Sequence, residues 1–254
     1  MTQAALEGMS LKGRTALVTG GGGGIGSRIC RDLADLGAAV VVADVDEPSA
    51  AGVAEGLPGA VPVGGDLADP AAIDRMLAEV GDRAGPVDIV VNNAGITAVE
   101  RFVESDPASW DRQWAVNLRA PMQIVHRLLG GMTERGWGRL IFISTDSARA
   151  GSAGEGVYSA VKGGLISFAK TIAREAARGG VTSNAVCPGH VDTPMSQAIV
   201  GDNPKLVEAL MRAIPLRRAG TPEDIAGLVA FLATDRAAYL TGQALSVSGG
   251  ITMQ

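Results

Sequence analysis

Short apolar runs rich in β-branched residues alternate along the chain with longer stretches of helical periodicity. The first run, Thr15–Gly20, is followed by residues 24–36, where Ile25, Ile29, Leu33 and Leu36 fall on one stripe. Further strand-like runs occupy 38–45, 60–66, 87–95, 139–145, 181–189 and 244–250. Between them the pattern predicts a helix over 70–84, opened by Pro70, and a mainly helical stretch over 106–133, opened by Asp106-Pro107. Two more helices are predicted, over 156–178 and over 221–233, where Thr221-Pro222-Glu223-Asp224 makes a capped start. Strands that are apolar throughout, separated by helices, predict an α/β fold: a doubly wound parallel sheet with helices on both faces. Residues 192–218 break the pattern. They read as an irregular insertion beyond the carboxyl end of a strand, where such sheets bind ligands, and so as a substrate lid within a single domain spanning 1–254.

Composition agrees with a large buried core and narrows the function. Of 254 residues, 46% are hydrophobic and 19% charged. Aromatics are only 4% and the net charge is -5, with no run of Lys or Arg, so a nucleic-acid surface is not expected. No apolar segment is long enough to span a bilayer, and the first residues lack a secretion signal, so a cytoplasmic protein without a membrane partner is expected. Cys30 and Cys187 read as buried thiols, and no Cys/His cluster suggests a metal.

The first strand runs into Thr19-Gly20-Gly21-Gly22-Gly23-Gly24-Ile25-Gly26, and a helix follows. Glycine lets the backbone turn sharply and approach a pyrophosphate, and the helix N-terminus offers unpaired N–H groups. Gly20, Gly23, Gly24, Ile25 and Gly26 are therefore candidate dinucleotide-binding residues. Asp44 ends the second strand. A carboxylate there can accept both adenosine ribose hydroxyls and repel a 2′-phosphate, which points to NAD rather than NADP as cofactor. Asp66, with Leu67 after it, can either reach the adenine or cap the next helix.

Tyr158 and Lys162 are four residues apart on a predicted helix and share a face. A free tyrosine, with a pKa near ~10, is a poor base at neutral pH, but a neighbouring ammonium favours its phenolate. The pair can thus act as general base toward an alcohol or general acid toward a carbonyl. Together with the glycine turn, Asn92-Asn93-Ala94-Gly95, Asn117, and Pro188-Gly189 followed by Thr193, this pair makes the chain resemble the short-chain dehydrogenase/reductase family over residues 11–252. The resemblance implies a Rossmann-type seven-stranded sheet of order 3-2-1-4-5-6-7 and an Asn-Ser-Tyr-Lys catalytic set. It implies that Asn117 holds a water relaying protons from Lys162, that Lys162 also binds the nicotinamide ribose, and that Asn93, Val191 and Thr193 contact the cofactor. It also implies a homotetramer built through the helices around 106–133 and 156–178 and the last strand.

The family's serine, thirteen residues before the tyrosine, is here Thr145. Threonine keeps the hydroxyl but adds a methyl that stiffens χ1. Ser144 is expected on the opposite face of a regular strand, and Ser147 needs a bend to reach the site. His190 either lines the nicotinamide end or is a loop residue without a chemical role. His126 is expected at the surface or an interface, and the tryptophans at 110, 114 and 137 in packing.

The expected activity is NAD-dependent interconversion of a small-molecule secondary alcohol and a ketone. Met195, Ile199, Val200, Leu206, Leu210, Met211 and Ile214 suit an apolar lid, with Arg212, Arg217 and Arg218 near it. The stretches 147–158 and 245–253 look like the family branch that includes 2-hydroxycyclohexanecarboxyl-CoA dehydrogenase, which suggests a cyclic or bulky apolar alcohol, or an acyl-CoA thioester. Two alternatives stand beside this reading: a 3-oxoacyl-thioester reductase using NADPH, and a non-catalytic dinucleotide-binding regulator. If Thr145 replaces the serine, Thr145→Ala loses most of its activity and Thr145→Ser largely keeps it, as steady-state rates of the two variants will show.

Overall fold

The computed structural model describes residues 8–201 and 204–253. Seven parallel strands form one sheet: β1 (Thr15–Thr19), β2 (Ala39–Asp44), β3 (Val61–Gly64), β4 (Ile89–Asn92), β5 (Gly138–Ile143), β6 (Val181–Pro188) and β7 (Ala244–Val247). Their order is β3-β2-β1-β4-β5-β6-β7, as expected. The strand order reverses at β1, which lies between β2 and β4. The crevice at the carboxyl ends of β1 and β4 is where such sheets bind ligands, and there Thr19 lies opposite Asn92.

The strands are apolar on both faces because both faces are covered. On one side pack α1 (Gly24–Asp35), α2 (Glu47–Glu55) and α10 (Pro222–Ala233), closing a core that includes Val18, Ile29, Leu33, Ala50, Ile141 and Val229. On the other pack α3 (Pro70–Ala84), α4 (Pro107–Trp114), α5 (Ala120–Glu134) and α7 (Gly156–Ala176), around Leu17, Ile73, Val90, Ile124, Leu140, Phe142 and Leu165. Phe142 is fully buried and meets Phe168 edge-on at 5.8 Å. Cys30 and Cys187 are buried thiols, and desolvation pushes them up to about 12 and about 11, so both stay protonated and inert.

Several expectations need correction. The helix α2 was not foreseen: its composition, with two alanines in succession and few large apolar residues, leaves only a weak stripe, and it is fixed by Asp46, whose side chain accepts from the Ser49 N–H. The stretch expected to be mainly helical over 106–133 is so, as α4 and α5 joined by a π-helical segment, Ala115–Arg119, that the sequence did not reveal. Residues 192–218 are not irregular: they hold α8 (Pro194–Val200) and α9 (Pro204–Ala213). Of the apolar lid set, Ile214 is buried while Met195 and Ile199 are about two-fifths exposed; the side chains of Val200 and Leu206 lie outside the described residues. Strands β3, β4 and β7 are shorter than expected, because the glycines and asparagines at their carboxyl ends leave the sheet to form the site loops. Asp66 does not cap α3. It is exposed and closes a local turn by accepting from the Ala68 N–H at 2.8 Å, while Asp69 caps the helix. The side chain of Leu67 is buried in the core. Trp110 and Trp137 pack as expected: Trp110 stacks on Phe102, and Trp137 lies between the guanidinium groups of Arg14 and Arg139.

Candidate active site

The glycine run works as a turn that only glycine can make. Gly20 and Gly24 have φ of 63° and 53°, in the left-handed region. A Cβ on Gly26 would lie 1.9 Å from the Gly20 carbonyl oxygen, so the start of α1 presses directly on the strand end. Asn93, from the loop after β4, locks this arrangement: its side-chain Nδ2 donates to the carbonyls of Thr19 and Gly20, both at 3.0 Å. Thr19 Oγ1 in turn accepts from the N–H groups of Asn93 and Ala94. Asn93 was expected to contact the cofactor; in the structure its amide nitrogen holds the phosphate-binding turn in shape.

Asp44 faces the same turn. Its carboxylate accepts from the Gly22 N–H at 2.9 Å and the Asp46 N–H at 3.1 Å. A side chain on Gly22 would meet Asp44 Oδ2 at 3.0 Å, so glycine is what admits the carboxylate. On the far side of the turn, Thr193 caps α8, and a Cβ on Gly24 would come 3.8 Å from its Cγ2. Val191 is buried and bridges to Gly220, holding this loop against the start of α10. His190 places Nδ1 3.4 Å from Ser196 Oγ. The glycine cradle, the Asp44 carboxylate and the Thr193 loop lie together at the strand ends, and they fit a nicotinamide dinucleotide.

The residues expected to transfer protons gather where β4 and β5 end. Lys162 is buried, and its Nζ donates to the Ile143 carbonyl at 2.8 Å. Nζ lies 5.8 Å from the centroid of the half-buried Tyr158 ring. Asn117, fully buried on the π-helical segment, is bound both ways to Ile96: Oδ1 accepts from the Ile96 N–H at 3.0 Å, and Nδ2 donates to the Ile96 carbonyl at 2.8 Å. A Cβ on Gly95 would meet both Asn117 Oδ1 and Lys162 Nζ, at 3.0 and 3.2 Å, so that glycine is where the two approach each other. π-helical segments recur at functional sites because they shift a helix face by a fraction of a turn.

Thr145 is half-buried, and its Oγ1 accepts from the Ser147 N–H at 3.2 Å, which leaves its O–H free to donate. Neither neighbouring serine competes. Ser144 is turned the other way and donates to the Lys162 carbonyl at 2.9 Å, as the strand alternation requires. Ser147 donates to Glu155 at 2.6 Å. Two features went unread in the sequence: the Ile143 and Ile96 backbones, which no residue type marks, and Glu155, three residues before Tyr158 at the N-cap of α7.

The electrostatics are those of an acid. Burial, and then the charge of Glu155, push the Tyr158 phenol well above the usual tyrosine range. Burial pushes Lys162 down to about 8. At neutral pH this site therefore holds a protonated phenol beside an ammonium.

The comparisons agree with this geometry. Residues 20–252 match a family model described as enoyl-(acyl carrier protein) reductase. The chain belongs to the short-chain dehydrogenase/reductase family. It is 41% identical over 246 residues to nodulation protein G of Azospirillum brasilense, covering 95% of this chain and 99% of that protein. It is 40% identical over 250 residues to acetoacetyl-CoA reductase of Allochromatium vinosum, covering 94% and 99%. It is 37% identical over 247 residues to 3-oxoacyl-(acyl-carrier-protein) reductase FabG of Escherichia coli, covering 96% and 100%. Among solved structures, a gluconate 5-dehydrogenase of Burkholderia cenocepacia in complex with NADP and tartrate superposes with a TM-score of 0.91 at 32% identity, covering 97% of this chain and 98% of that one. The protein is thus an oxidoreductase of a nicotinamide dinucleotide. Among the described residues no helix is long and apolar enough to cross a membrane.

Two outcomes follow. Gly26→Ala forces the turn off the Gly20 carbonyl and abolishes nicotinamide dinucleotide binding, to be measured by cofactor titration alongside a thermal-unfolding control. For ketone reduction, Tyr158 stays protonated across the working range, so the profile is governed by Lys162. A group held down to about 8 loses its proton as pH rises through that value, and kcat/KM falls above about pH 8 and is flat between 6 and 7.5. A profile rising through pH 8 would contradict this.

Proposed function

We propose that this protein reduces the ketone of an acyl thioester to the secondary alcohol, with NADH as the reductant. The direction is supported by relatives named as reductases, and burial of Tyr158 beside Lys162 acts the same way, since it favours a phenol able to give a proton to a carbonyl oxygen. The Thr145 hydroxyl and the Tyr158 phenol both address that oxygen. As charge develops on it, Thr145 donates a hydrogen bond and Tyr158 transfers its proton. When bound, the reduced nicotinamide supplies the hydride to the carbonyl carbon. Lys162 then returns a proton to Tyr158, through a water held beside Asn117.

The substrate class is supported by relatives whose names specify acetoacetyl-CoA and 3-oxoacyl-(acyl-carrier-protein) reduction. Of the readings weighed from the sequence, the thioester reductase thus gains most. The cofactor preference rests on Asp44, whose carboxylate, held by two backbone N–H groups, would set a negative charge against a 2′-phosphate. The gluconate 5-dehydrogenase of similar fold was found with NADP, so the preference proposed here stands on Asp44 and not on the fold. A second reading, oxidation of a cyclic or bulky apolar secondary alcohol, is supported by the exposed Met195, Ile199 and Leu216 at the lid. Homotetramer assembly is proposed through α7 and the open edge of β7, which together line a groove of about 460 Å³.

Absorbance of the reduced nicotinamide, with acetoacetyl-CoA and with cyclic ketones and alcohols, separates these readings. Acetoacetyl-CoA is expected to be reduced with NADH at a kcat/KM about tenfold or more above that with NADPH, and Asp44→Ala to narrow the ratio. Turnover of ring alcohols alone would give the second reading its place. A preference for NADPH would remove the role given to Asp44.

A further inference from the structure

The backbone that carries Thr145 is tied to the sheet by an unusual amount of buried polar structure. On one side the Ser144 N–H donates to the Val186 carbonyl at 2.8 Å; on the other the Asp146 N–H donates to the Pro188 carbonyl at 2.9 Å. These bonds carry the β5–β6 pairing past the formal end of β5. They leave Thr145 between two fixed points. Asp146, only 5% exposed, then reaches across to the last strand, where its Oδ1 accepts from Ser246 Oγ at 2.5 Å. The same Ser246 oxygen accepts from Arg149 Nη1 at 2.6 Å. Ser246 lies opposite Cys187 in the β6–β7 register, so the connection spans the carboxyl ends of three adjacent strands.

We propose that Asp146, Ser246 and Arg149 form a half-buried strut that sets the position of the Thr145 hydroxyl, with Asp146 as a positioning residue. The proposal rests on the reading of Thr145 as the hydrogen-bond donor to substrate. A stability role accounts poorly for the strut. Asp146 Oδ2 is buried without a hydrogen-bond partner, an arrangement that an apolar side chain of similar size would improve upon. Position accounts for it better. The Asp146 carbonyl accepts from the N–H groups of Arg149 and Ala150, which winds the short helix α6 (Ser147–Ala150). The first N–H of that helix, from Ser147, is the one that donates to Thr145 Oγ1. A shift of Asp146 therefore turns α6 and moves the group that aims the Thr145 hydroxyl. The strut also reaches the lid. From Ser246 the chain runs into Gly249, whose carbonyl accepts from the Leu216 N–H at 3.1 Å, and a Cβ on Gly249 would lie 2.7 Å from Ile214 Cγ2. The donor hydroxyl and the base of the lid are thus fixed to one strand.

The test is a double-mutant cycle in the full chain with NADH and acetoacetyl-CoA. Ser246→Ala removes the strut's central hydroxyl with little change in volume, and Asp146→Asn keeps shape while removing charge. Each is expected to lower kcat by about 10- to 100-fold, the scale of a misplacement of about 1 Å, with NADH binding within about twofold of the parent. Ser246→Ala added to Thr145→Ala is expected to cost nothing further, because the group being positioned is gone. If the two losses multiply, or if Ser246→Ala lowers NADH affinity and thermal stability in step with kcat, the strut is only structural and the proposal falls. Unchanged kcat in Ser246→Ala and Asp146→Asn likewise overturns it. Failure of the underlying reading looks different: Thr145→Ala itself then keeps full activity.

Discussion

One buried ammonium organises the chemistry of this protein. Lys162 Nζ has little solvent, and it is held by the Ile143 carbonyl at the end of β5. Burying a charge without partners is prohibitively unfavourable, so the surroundings must supply polar groups, and those groups fix the geometry of everything near it. The Ile143 carbonyl comes from the strand that goes on to Thr145. The Lys162 carbonyl accepts from Ser144 in return, so strand end and helix hold each other from both sides. Gly95 has no side chain where Asn117 and Lys162 approach, which brings the β4 loop into the same knot. Tyr158, one turn earlier on α7, inherits its place from this arrangement.

The cofactor end is governed by a different constraint, close approach of backbone. Gly26 against the Gly20 carbonyl, and Gly22 against Asp44, are contacts that no side chain could share. They let the start of α1, the end of β1 and the end of β2 converge on one point. Asn93 then joins β4 to that point. The two halves of the site are therefore held by unlike means, one by steric exclusion and one by electrostatic compensation, and both hang on the loop 93–96.

The strands and most helices were legible because burial on both faces gives strands with no polar alternation, and because Asp-Pro at 69–70 and 106–107 and Thr-Pro at 221–222 mark helix starts. Tyr158, Lys162, Asp44 and the glycine turn were legible as a set, since their order along the chain matches the order of strand ends. What escaped was of three kinds. The helix α2 depends on small residues, whose burial leaves little periodic signal. The π-helical segment at Asn117 has no residue signature, because one extra residue per turn changes the face and not the composition. The roles of Asn93, Ile96 and Ile143 depend on which backbone groups meet across strands, information that lies in register rather than in residue type. Asp66 misled for a related reason: an aspartate two residues before a small residue forms a local turn as readily as it caps a helix, and Asp69 stands closer to Pro70.

The direction of proton flow connects these parts. A tyrosine in this fold can serve either alcohol oxidation or ketone reduction, and the outcome turns on which protonation state the free site favours. Desolvation raises the Tyr158 phenol, and Glu155, at the N-cap of the helix that carries it, adds negative charge in the same direction, so the phenol is the favoured form. Lys162, with a pKa brought to about 8, is near enough to neutrality to release a proton as well as to hold one. A site made for oxidation would gain from removing the carboxylate at 155, which would favour the phenolate. Instead Glu155 is kept close by its bond with Ser147, on the short helix whose first N–H aims Thr145. Glu155, which opposes the phenolate, and the segment whose first N–H donates to Thr145 Oγ1 are thus one assembly, so under the function proposed above proton donation and carbonyl orientation are set together.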